Sequence, residues 1–304
     1  MTTSQLDAAP ARRRSGPAAP ADRAGRAARR RGGWVPTIGL LAGAVYCLLP
    51  VLWVVIAATK SSAQLFTTFT MSPGTGLLAN LRQLSDYRGG EFWQWMLNSA
   101  FYAGLGALLS AALSGVTGYT LAKYRFAGRN ALFNILLAGV LMPPVVLAIP
   151  QYLLMAKAGL ADSYWSVLLC SIVSPYGIYL ARVYAAGAIP DDVVEAARMD
   201  GASEWRLFRS VAVPMMAPGL VTVFLFQFVA IWNNFLLPYI MLGDDRKFPV
   251  TVGLFTLLNQ GAAEPSLYTL VIAGSLISVL PLVVLFLSLQ RYWRLDLLSG
   301  AVKS

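Results

Sequence analysis

The chain has 304 residues, of which 57% are hydrophobic and 12% are charged, and its net charge is +10. The charged share is about half of that in an average soluble domain, so the composition predicts a polytopic membrane protein. The chain has no histidine and only two cysteines. This removes the commonest general base and excludes a disulfide framework or a thiolate metal site, and we expect no metal site in the chain.

The basic charge is concentrated at the N-terminus. Eight arginines precede the first apolar segment, in a stretch that is rich in alanine, proline and glycine. Because this composition cannot bury a core, we expect residues 1–33 to form a disordered basic cytoplasmic tail. A solvated tail and a tail on anionic membrane lipid are both compatible with the sequence, and no nucleic acid is expected as a partner.

Apolar segments of roughly 20 residues, the length that crosses a bilayer as a helix, recur along the rest of the chain. They lie at about 34–59, 96–122, 131–155, 164–186, 217–241 and 267–290. Lysine and arginine are more frequent on the side of the N-terminus, which places both termini in the cytoplasm. The sequence therefore predicts an all-α membrane protein with six transmembrane helices over residues 34–290, and a cytoplasmic C-terminal tail over 291–304.

Prolines interrupt several of these segments. Pro143, Pro144 and Pro150 fall in the third, Pro175 in the fourth and Pro281 in the sixth. Each removes a hydrogen bond of the helix and predicts a kink or an unwound turn.

Among Asp, Glu, Lys and Arg, the six segments contain a single residue, Arg182. Charges within a membrane usually mark ion sites or proton relays, so transport of a neutral polar solute is favoured. Gln227 and Asn234 lie seven residues apart and would share a helix face at about 100° per residue. Amides of this kind either line a pathway or tie helices together. The candidate substrate-pathway residues are Gln227, Trp232, Asn233, Asn234, Asn98 and Gln151.

The longest connection on the predicted cytoplasmic side spans residues 187–218. Pro190 suits the first position of a helix, Gly201 suits a helix C-terminus and Ser203 suits an N-cap. The pattern therefore predicts two short helices, the second closed by Pro214. Helices with an exposed apolar and acidic surface favour either docking of a soluble partner or a position on the membrane surface.

The residues of this connection resemble the EAA motif of binding-protein-dependent ABC importer permeases. Glu195-Ala196-Ala197 is followed by Asp200-Gly201-Ala202, and then by Phe208 and Pro214 at the spacing of that motif. The segments "IWNNFLLPYIML" and "GAVKS" are similar to the G-type subunit of maltose-like sugar permeases. The resemblance covers most of the chain after the tail and implies the type I permease fold of ABC importers.

The resemblance implies a transmembrane permease subunit of an ATP-driven sugar importer in the bacterial inner membrane. Such a subunit forms the pathway with a second homologous permease and receives its substrate from an extracytoplasmic solute-binding protein. A dimer of ATP-binding subunits supplies the energy, so the resemblance implies no cofactor and no enzyme site in this chain, and ATP with Mg²⁺ in the partner ATPase. The residues implied to couple to the ATPase are Glu195, Ala196, Ala197, Asp200, Gly201, Ala202, Phe208, Val302 and Lys303.

The sequence also leaves two other classes of function open. An ion-coupled secondary carrier for a neutral solute needs a coupling-ion site or inverted repeats, and neither is evident in the sequence. A metal-dependent membrane enzyme would have to use the acids around Asp191, of which Asp191 and Glu195 share a helix face.

Overall fold

The computed structural model describes residues 34–301, and it describes the side chains of residue 34 and of residues 36–290. The elements in this range are helices joined by turns and irregular connections. The basic tail predicted for residues 1–33 lies outside the described residues, and so do the predicted coupling residues Val302 and Lys303.

The chain divides into two compact units after Leu52. Of the first unit the structure describes residues 34–52, which belong to helix α1 (Trp34–Ala58). Apolar side chains of this unit are exposed, including Leu40 and Tyr46. An apolar helix with exposed apolar side chains is typical of a span in contact with lipid.

The second unit, from residue 53 onward, is built from short and long helices. In chain order they are α2 (Ser62–Thr67), α3 (Leu77–Asp86), α4 (Glu91–Lys123), α5 (Arg129–Leu141), α6 (Pro144–Lys157), α7 (Tyr164–Ile172), α8 (Pro175–Ala188), α9 (Asp191–Met199), α10 (Glu204–Leu207), α11 (Val213–Trp232), α12 (Leu236–Met241), α13 (Val250–Gln260) and α14 (Ser266–Ala301). Residues Phe208–Ala212 form a π turn between α10 and α11.

Within the described residues, five stretches are long and apolar enough to cross a membrane unaided. They are Pro36–Ala58, Glu91–Lys123, Tyr164–Ala188, Glu204–Trp232 and Ser266–Gln290. The pair α5 and α6 passes the same test but is bent by 106°. Counted with this bent pair, the six predicted spans are present.

The third span is interrupted as its prolines predict, because the chain breaks between α5 and α6. Pro143 has an extended backbone (φ −62°, ψ 126°), and Pro144 is the first residue of α6. Proline disfavours helical backbone in the residue before it and cannot donate a helix hydrogen bond. The fourth span is interrupted as predicted, since α8 begins at Pro175 after the capping residue Ser174. In contrast, α14 runs unbroken through Pro281 to Ala301.

The predicted fifth span, 217–241, was wrong at both ends. Its helix joins the π turn at Val213 and ends at Trp232. The Asn233 side chain donates to the Val229 carbonyl over 2.8 Å. The Asn234 side chain accepts from the Leu237 amide over 3.3 Å. Amide side chains that bond to nearby backbone compete with the helix ladder, and here they accompany its end.

Helix α4 is the central helix of the second unit and packs on α8 and α11 through small residues. A Cβ on Gly118 would lie 2.7 Å from the Ala181 Cβ, so the two backbones approach too closely for a larger side chain. Small residues allow such approaches between membrane helices. Nearer its start, α4 buries Phe92, Trp95 and Tyr102 in the main apolar cluster.

Near the start of α4, the connection between α6 and α7 contacts the connection between α12 and α13 through an ion pair and hydrogen bonds, which the sequence did not predict. The Asp162 carboxylate accepts from the amides of Gly243 (3.0 Å) and Asp244 (3.1 Å). Lys247 donates to the same carboxylate over 3.1 Å. These interactions, led by the hydrogen bond from the Gly243 amide, hold the pKa of Asp162 below its ordinary value.

Candidate functional site

The first candidate site is the connection that resembles the EAA motif. Helix α9 begins at Asp191, one residue later than predicted, with Pro190 as its N-cap. It ends in a Schellman turn, in which the Ala202 amide bonds the Ala197 carbonyl (3.1 Å) and the Gly201 amide bonds the Arg198 carbonyl (3.0 Å). Gly201 follows the end of α9 as predicted, and its φ of +76° is the left-handed conformation that favours glycine at a helix C-terminus.

The second predicted helix starts correctly but ends differently. Ser203 caps α10, and its Oγ accepts from the Arg206 amide over 3.4 Å. Pro214 does not close this helix, contrary to the prediction. The chain continues through the π turn into α11, where Pro214 occupies the first turn. The pairing changes at this point, since the Val213 amide bonds the Phe208 carbonyl five residues back.

The back of this connection is anchored to the bundle. Val194 and Leu207 are buried in a cluster with Tyr119 of α4 and Ala181 of α8. At the surface, Lys123 bonds Asp191 over 2.6 Å and holds the pKa of that carboxyl below its ordinary value. A second polar group fixes α10, because the Glu204 carboxylate accepts both from the Tyr124 hydroxyl and from Arg198.

The front of the connection is exposed and combines acidic, small and apolar groups. Met199 is 83% exposed and Trp205 is 66% exposed, and exposed apolar groups rimmed by polar residues are typical of a contact surface. We call this surface the coupling face, and its exposed residues are Glu195, Ala196, Met199, Asp200, Gly201 and Trp205.

The remaining predicted coupling residues lie at the edge of this face or behind it. Ala197 and Ala202 are partly buried in the Schellman turn. Phe208 is partly buried, and its ring centre lies 5.4 Å from that of Tyr119. Sequence reasoning missed Met199, although its position four residues after Glu195 places both on one side of α9.

The second candidate site is a cavity of about 310 Å³ inside the second unit. Three of the six predicted pathway residues line it together: Gln151 of α6, Gln227 of α11 and Asn234. Gln227 is buried, and its Nε2 donates to the Ser174 Oγ over 2.6 Å. The cavity wall also contains hydroxyl groups but no carboxylate, lysine or arginine among its lining residues.

Three helix breaks meet at this cavity, which no local pattern predicted. Pro144 at the α5–α6 break, Ser174 at the α7–α8 break and Asn234 at the α11–α12 break all line it. Breaks leave backbone groups outside the helix ladder, and such irregular backbone within a membrane is tolerated where it lines a cavity. Broken helices are a recurrent construction for transport sites.

The other predicted pathway residues lie elsewhere. Trp232 and Asn233 line a separate cavity of about 540 Å³, with residues of α13 and α14. Asn98 is buried, and its Nδ2 donates to the carbonyls of Arg246 (2.7 Å) and Phe248 (3.0 Å). The structure therefore does not bring Asn98 together with Gln227, and its bonds hold the connection after α12 in place.

The fold is that of solved ABC importer permeases. A chain of a bacterial ABC transporter that imports the acidic polysaccharide alginate superimposes with a TM-score of 0.74 and 24% identity, covering 91% of this chain and 99% of that chain. A chain of the bacterial alginate ABC transporter in complex with an alginate pentasaccharide-bound periplasmic protein gives a TM-score of 0.57 and 15% identity, covering 84% and 92%. This likeness confirms the predicted permease fold.

Sequence comparison agrees with the fold. The arabinooligosaccharides transport system permease AraQ of Halalkalibacterium halodurans is 34% identical over 273 residues, or 89% of this chain and 96% of that protein. The lactose transport system permease LacG of Rhizobium radiobacter is 29% identical over 259 residues, or 84% and 91%. Residues 114–294 match the model of the family described as "Binding-protein-dependent transport system inner membrane component". The chain belongs to this family and is an integral membrane permease of the ABC importer class, as the EAA resemblance predicted.

Proposed function

We propose that this permease carries sugars across the bacterial inner membrane, driven by a partner ATPase that docks on the coupling face. The observation that carries the proposal is the structure of that face. Its front is exposed and holds the EAA residues, whereas its back is fixed to α4, α8 and α11. A partner that moves the front therefore moves the helices behind it.

The two helices that flank the coupling face both lead to the breaks at the amide-lined cavity. Helix α8 has 14 residues and α11 has 20 residues, so they extend about 21 and 30 Å at about 1.5 Å per residue. The far end of α8 is Ser174, and the far end of α11 is followed by Asn234, and both line the cavity. Displacement of the coupling face would change the width of the cavity through these two helices.

Sugar as the substrate class is supported by the relatives and by the chemistry of the cavity. Relatives are named as permeases for arabinooligosaccharides, lactose and diacetylchitobiose. Gln151, Gln227 and Asn234 offer donors and acceptors that match the hydroxyl groups of a neutral sugar. The cavity has no charged lining residue to balance an ion, which disfavours an ion-coupled secondary carrier.

The proposed transporter has three kinds of partner protein, and the chain has a defined orientation in the membrane. A second homologous permease would complete the pathway, and an extracytoplasmic solute-binding protein would deliver the sugar. A dimer of ATP-binding subunits would bind ATP and Mg²⁺, so this chain would have no ATPase site of its own. The coupling face and both termini would lie in the cytoplasm, as the distribution of lysine and arginine predicts.

Docking on the coupling face can be tested with a pair of matched substitutions. The full-length chain is co-expressed with the other components of its transporter, and the ATPase retained on the tagged chain is measured. Ala196→Arg places a long charged side chain in the centre of the coupling face. Ala263→Arg places the same group on an exposed alanine between α13 and α14.

We expect Ala196→Arg to weaken ATPase retention at least about tenfold, because a blocked central residue removes its neighbours from contact as well. Ala263→Arg should retain the ATPase as the wild type does. Equal retention by Ala196→Arg and the wild type would contradict docking on this face.

A further inference from the structure

A basic pocket lies beside the coupling face, between the end of α4, the connection to α5 and helix α9. Its volume is about 510 Å³. Basic side chains outnumber acidic ones in its wall, and polar surface predominates. The lining residues are Ala122, Lys123, Tyr124, Arg125, Arg129, Asp191, Val194, Glu195 and Arg198.

Two of the cations in this wall are already paired. Lys123 bonds Asp191, and Arg198 bonds Glu204. Among the described side chains, Arg125 and Arg129 form no ion pair with a carboxylate. Lys123, Arg125, Arg129 and Arg198 face two carboxylates in this wall, Asp191 and Glu195, and Asp191 is attracted by Lys123 and by Arg125. The pocket therefore keeps a net positive charge.

Arg129 is held in a position where it lacks one acceptor. Its two terminal nitrogens donate to the backbone carbonyls of Tyr124 (3.3 Å) and Ala122 (3.4 Å). Its Nε is buried and has no hydrogen-bond partner. A buried donor without an acceptor is destabilising. An anion bound in the pocket would balance the positive charge of this guanidinium.

A second cavity of about 280 Å³ adjoins the same two arginines at the start of α5. Gly128 is the N-cap of α5, and no side chain caps this end of the helix. First-turn amides and the positive end of the helix dipole favour an anion at such a position. Arg125 and Arg129 line both cavities, so a phosphate group placed between them would meet both arginines and the helix terminus.

The surroundings of the pocket indicate that the phosphate belongs to a lipid. Helix α5 is the first half of the broken membrane span. Leu132 and Ile135, which follow Arg129 on this helix, are exposed. At spacings of three residues they fall on one side of α5 with Arg129. Phe126, which lines the second cavity, is also exposed. A bound phospholipid would use both surfaces at once, with its phosphate against the arginines and its acyl chains along these apolar groups.

We infer that this pocket binds the headgroup phosphate of an anionic phospholipid, in the leaflet on the side of the coupling face. Arg125, Arg129 and the start of α5 would hold the phosphate, and the acyl chains would lie along α5. Because Glu195 and Arg198 of α9 form part of the same wall, the headgroup would join the α4–α5 connection to the helix that carries the coupling face.

The test is a lipid titration of the full-length chain, delipidated in detergent and observed by native mass spectrometry. Phosphatidylglycerol is compared with phosphatidylcholine of the same acyl chains, with and without millimolar inorganic phosphate. Arg125→Gln and Arg129→Gln change the pocket. Arg206→Gln is the matched control, because Arg206 is an exposed arginine of α10 outside the pocket. The arginine-rich tail is the same in all variants, so differences between them report the pocket.

We expect phosphatidylglycerol to bind more tightly than phosphatidylcholine, and each pocket substitution to weaken it about fivefold, as one basic group near a membrane surface does. Arg206→Gln should bind as the wild type does. Arg125 is exposed, so Arg125→Gln should fold normally. It therefore tests lipid binding by the pocket even if Arg129→Gln does not fold. Equal binding of the two lipids, or equal losses in Arg125→Gln and Arg206→Gln, would overturn the inference. Displacement of the lipid by inorganic phosphate would assign the pocket to a free phosphate compound and would also overturn it.

Discussion

Replacing Gly201 should loosen the turn that connects the two short helices of the coupling face. Its φ of +76° lies in the left-handed region, and a Cβ built on it would meet no atom within 4 Å. The cost of a substitution therefore comes from the backbone alone. For alanine this cost is about 1–2 kcal/mol, and for asparagine it is smaller because asparagine visits this region more readily. Valine should cost the most, because a branched Cβ fits this region worst.

A loss of this size is large for a local structure. A cost of about 1–2 kcal/mol lowers the ratio of closed to open turn by roughly 5- to 30-fold. The Schellman turn is closed by two hydrogen bonds, which the backbone amides of Gly201 and Ala202 donate. Both amides lose these bonds when the turn opens. Their rate of hydrogen exchange should rise in proportion, because exchange follows the population of the open form.

Hydrogen exchange of the full-length chain, read by mass spectrometry over residues 197–207, measures this effect. We expect exchange to rise in the order wild type, Gly201→Asn, Gly201→Ala and Gly201→Val. Gly187→Ala is the control, since Gly187 lies in α8 without a positive φ and has room for a Cβ, and it should leave this segment unchanged. Exchange in Gly201→Ala equal to that of the wild type would refute the reasoning.

Three further predictions concern the bundle. Gly118→Leu should lower the melting temperature of the purified chain sharply, since its Cβ would meet α8 at 2.7 Å, whereas Gly104→Leu on the same helix, with no atom within 4 Å, should change it little. The hydrogen bond from the Gly243 amide helps to lower the pKa of Asp162, so stabilisation by its carboxylate is complete above about pH 4 and is lost as the pH falls through the lower folded pKa. The excess melting temperature of the wild type over Asp162→Asn should therefore be full at pH 7 and shrink as the pH falls below about 4, and an excess that grows as the pH falls would contradict this. Gln227→Leu removes a polar group from the amide-lined cavity and should reduce sugar transport about tenfold without loss of ATPase retention, and unchanged transport would exclude this residue from the pathway.

Features that depend on one or two neighbouring residues could be predicted from the sequence. The left-handed Gly201, the Ser203 cap and the interruption before Pro175 follow from the conformations that these residues prefer. Pro214 was misjudged because its effect depends on its position in a helix, and the π turn places it in a first turn. The end of α11 was missed because an amide side chain such as Asn233 opposes a helix only weakly when taken alone.

Features that depend on tertiary packing could not be predicted. The meeting of three helix breaks at one cavity brings together Pro144, Ser174 and Asn234, which lie far apart in sequence. The polar character of Asn98 was evident, but its two carbonyl partners come from the connection after α12. The sequence alone does not show whether Asn98 lines a pathway or stabilises the fold, because that depends on which groups its side chain bonds.

In the proposed transporter, an ATPase on the coupling face drives sugar through this permease. ATP-dependent uptake of labelled arabinooligosaccharides and lactose into proteoliposomes tests it most directly, with this chain, its partner permease, the ATPase and the solute-binding protein. We predict uptake that requires every component and ATP, and that is lost with Ala196→Arg but not with Ala263→Arg. Uptake by this chain alone, without ATP and dependent on an ion gradient, would contradict the claim and would identify a secondary carrier.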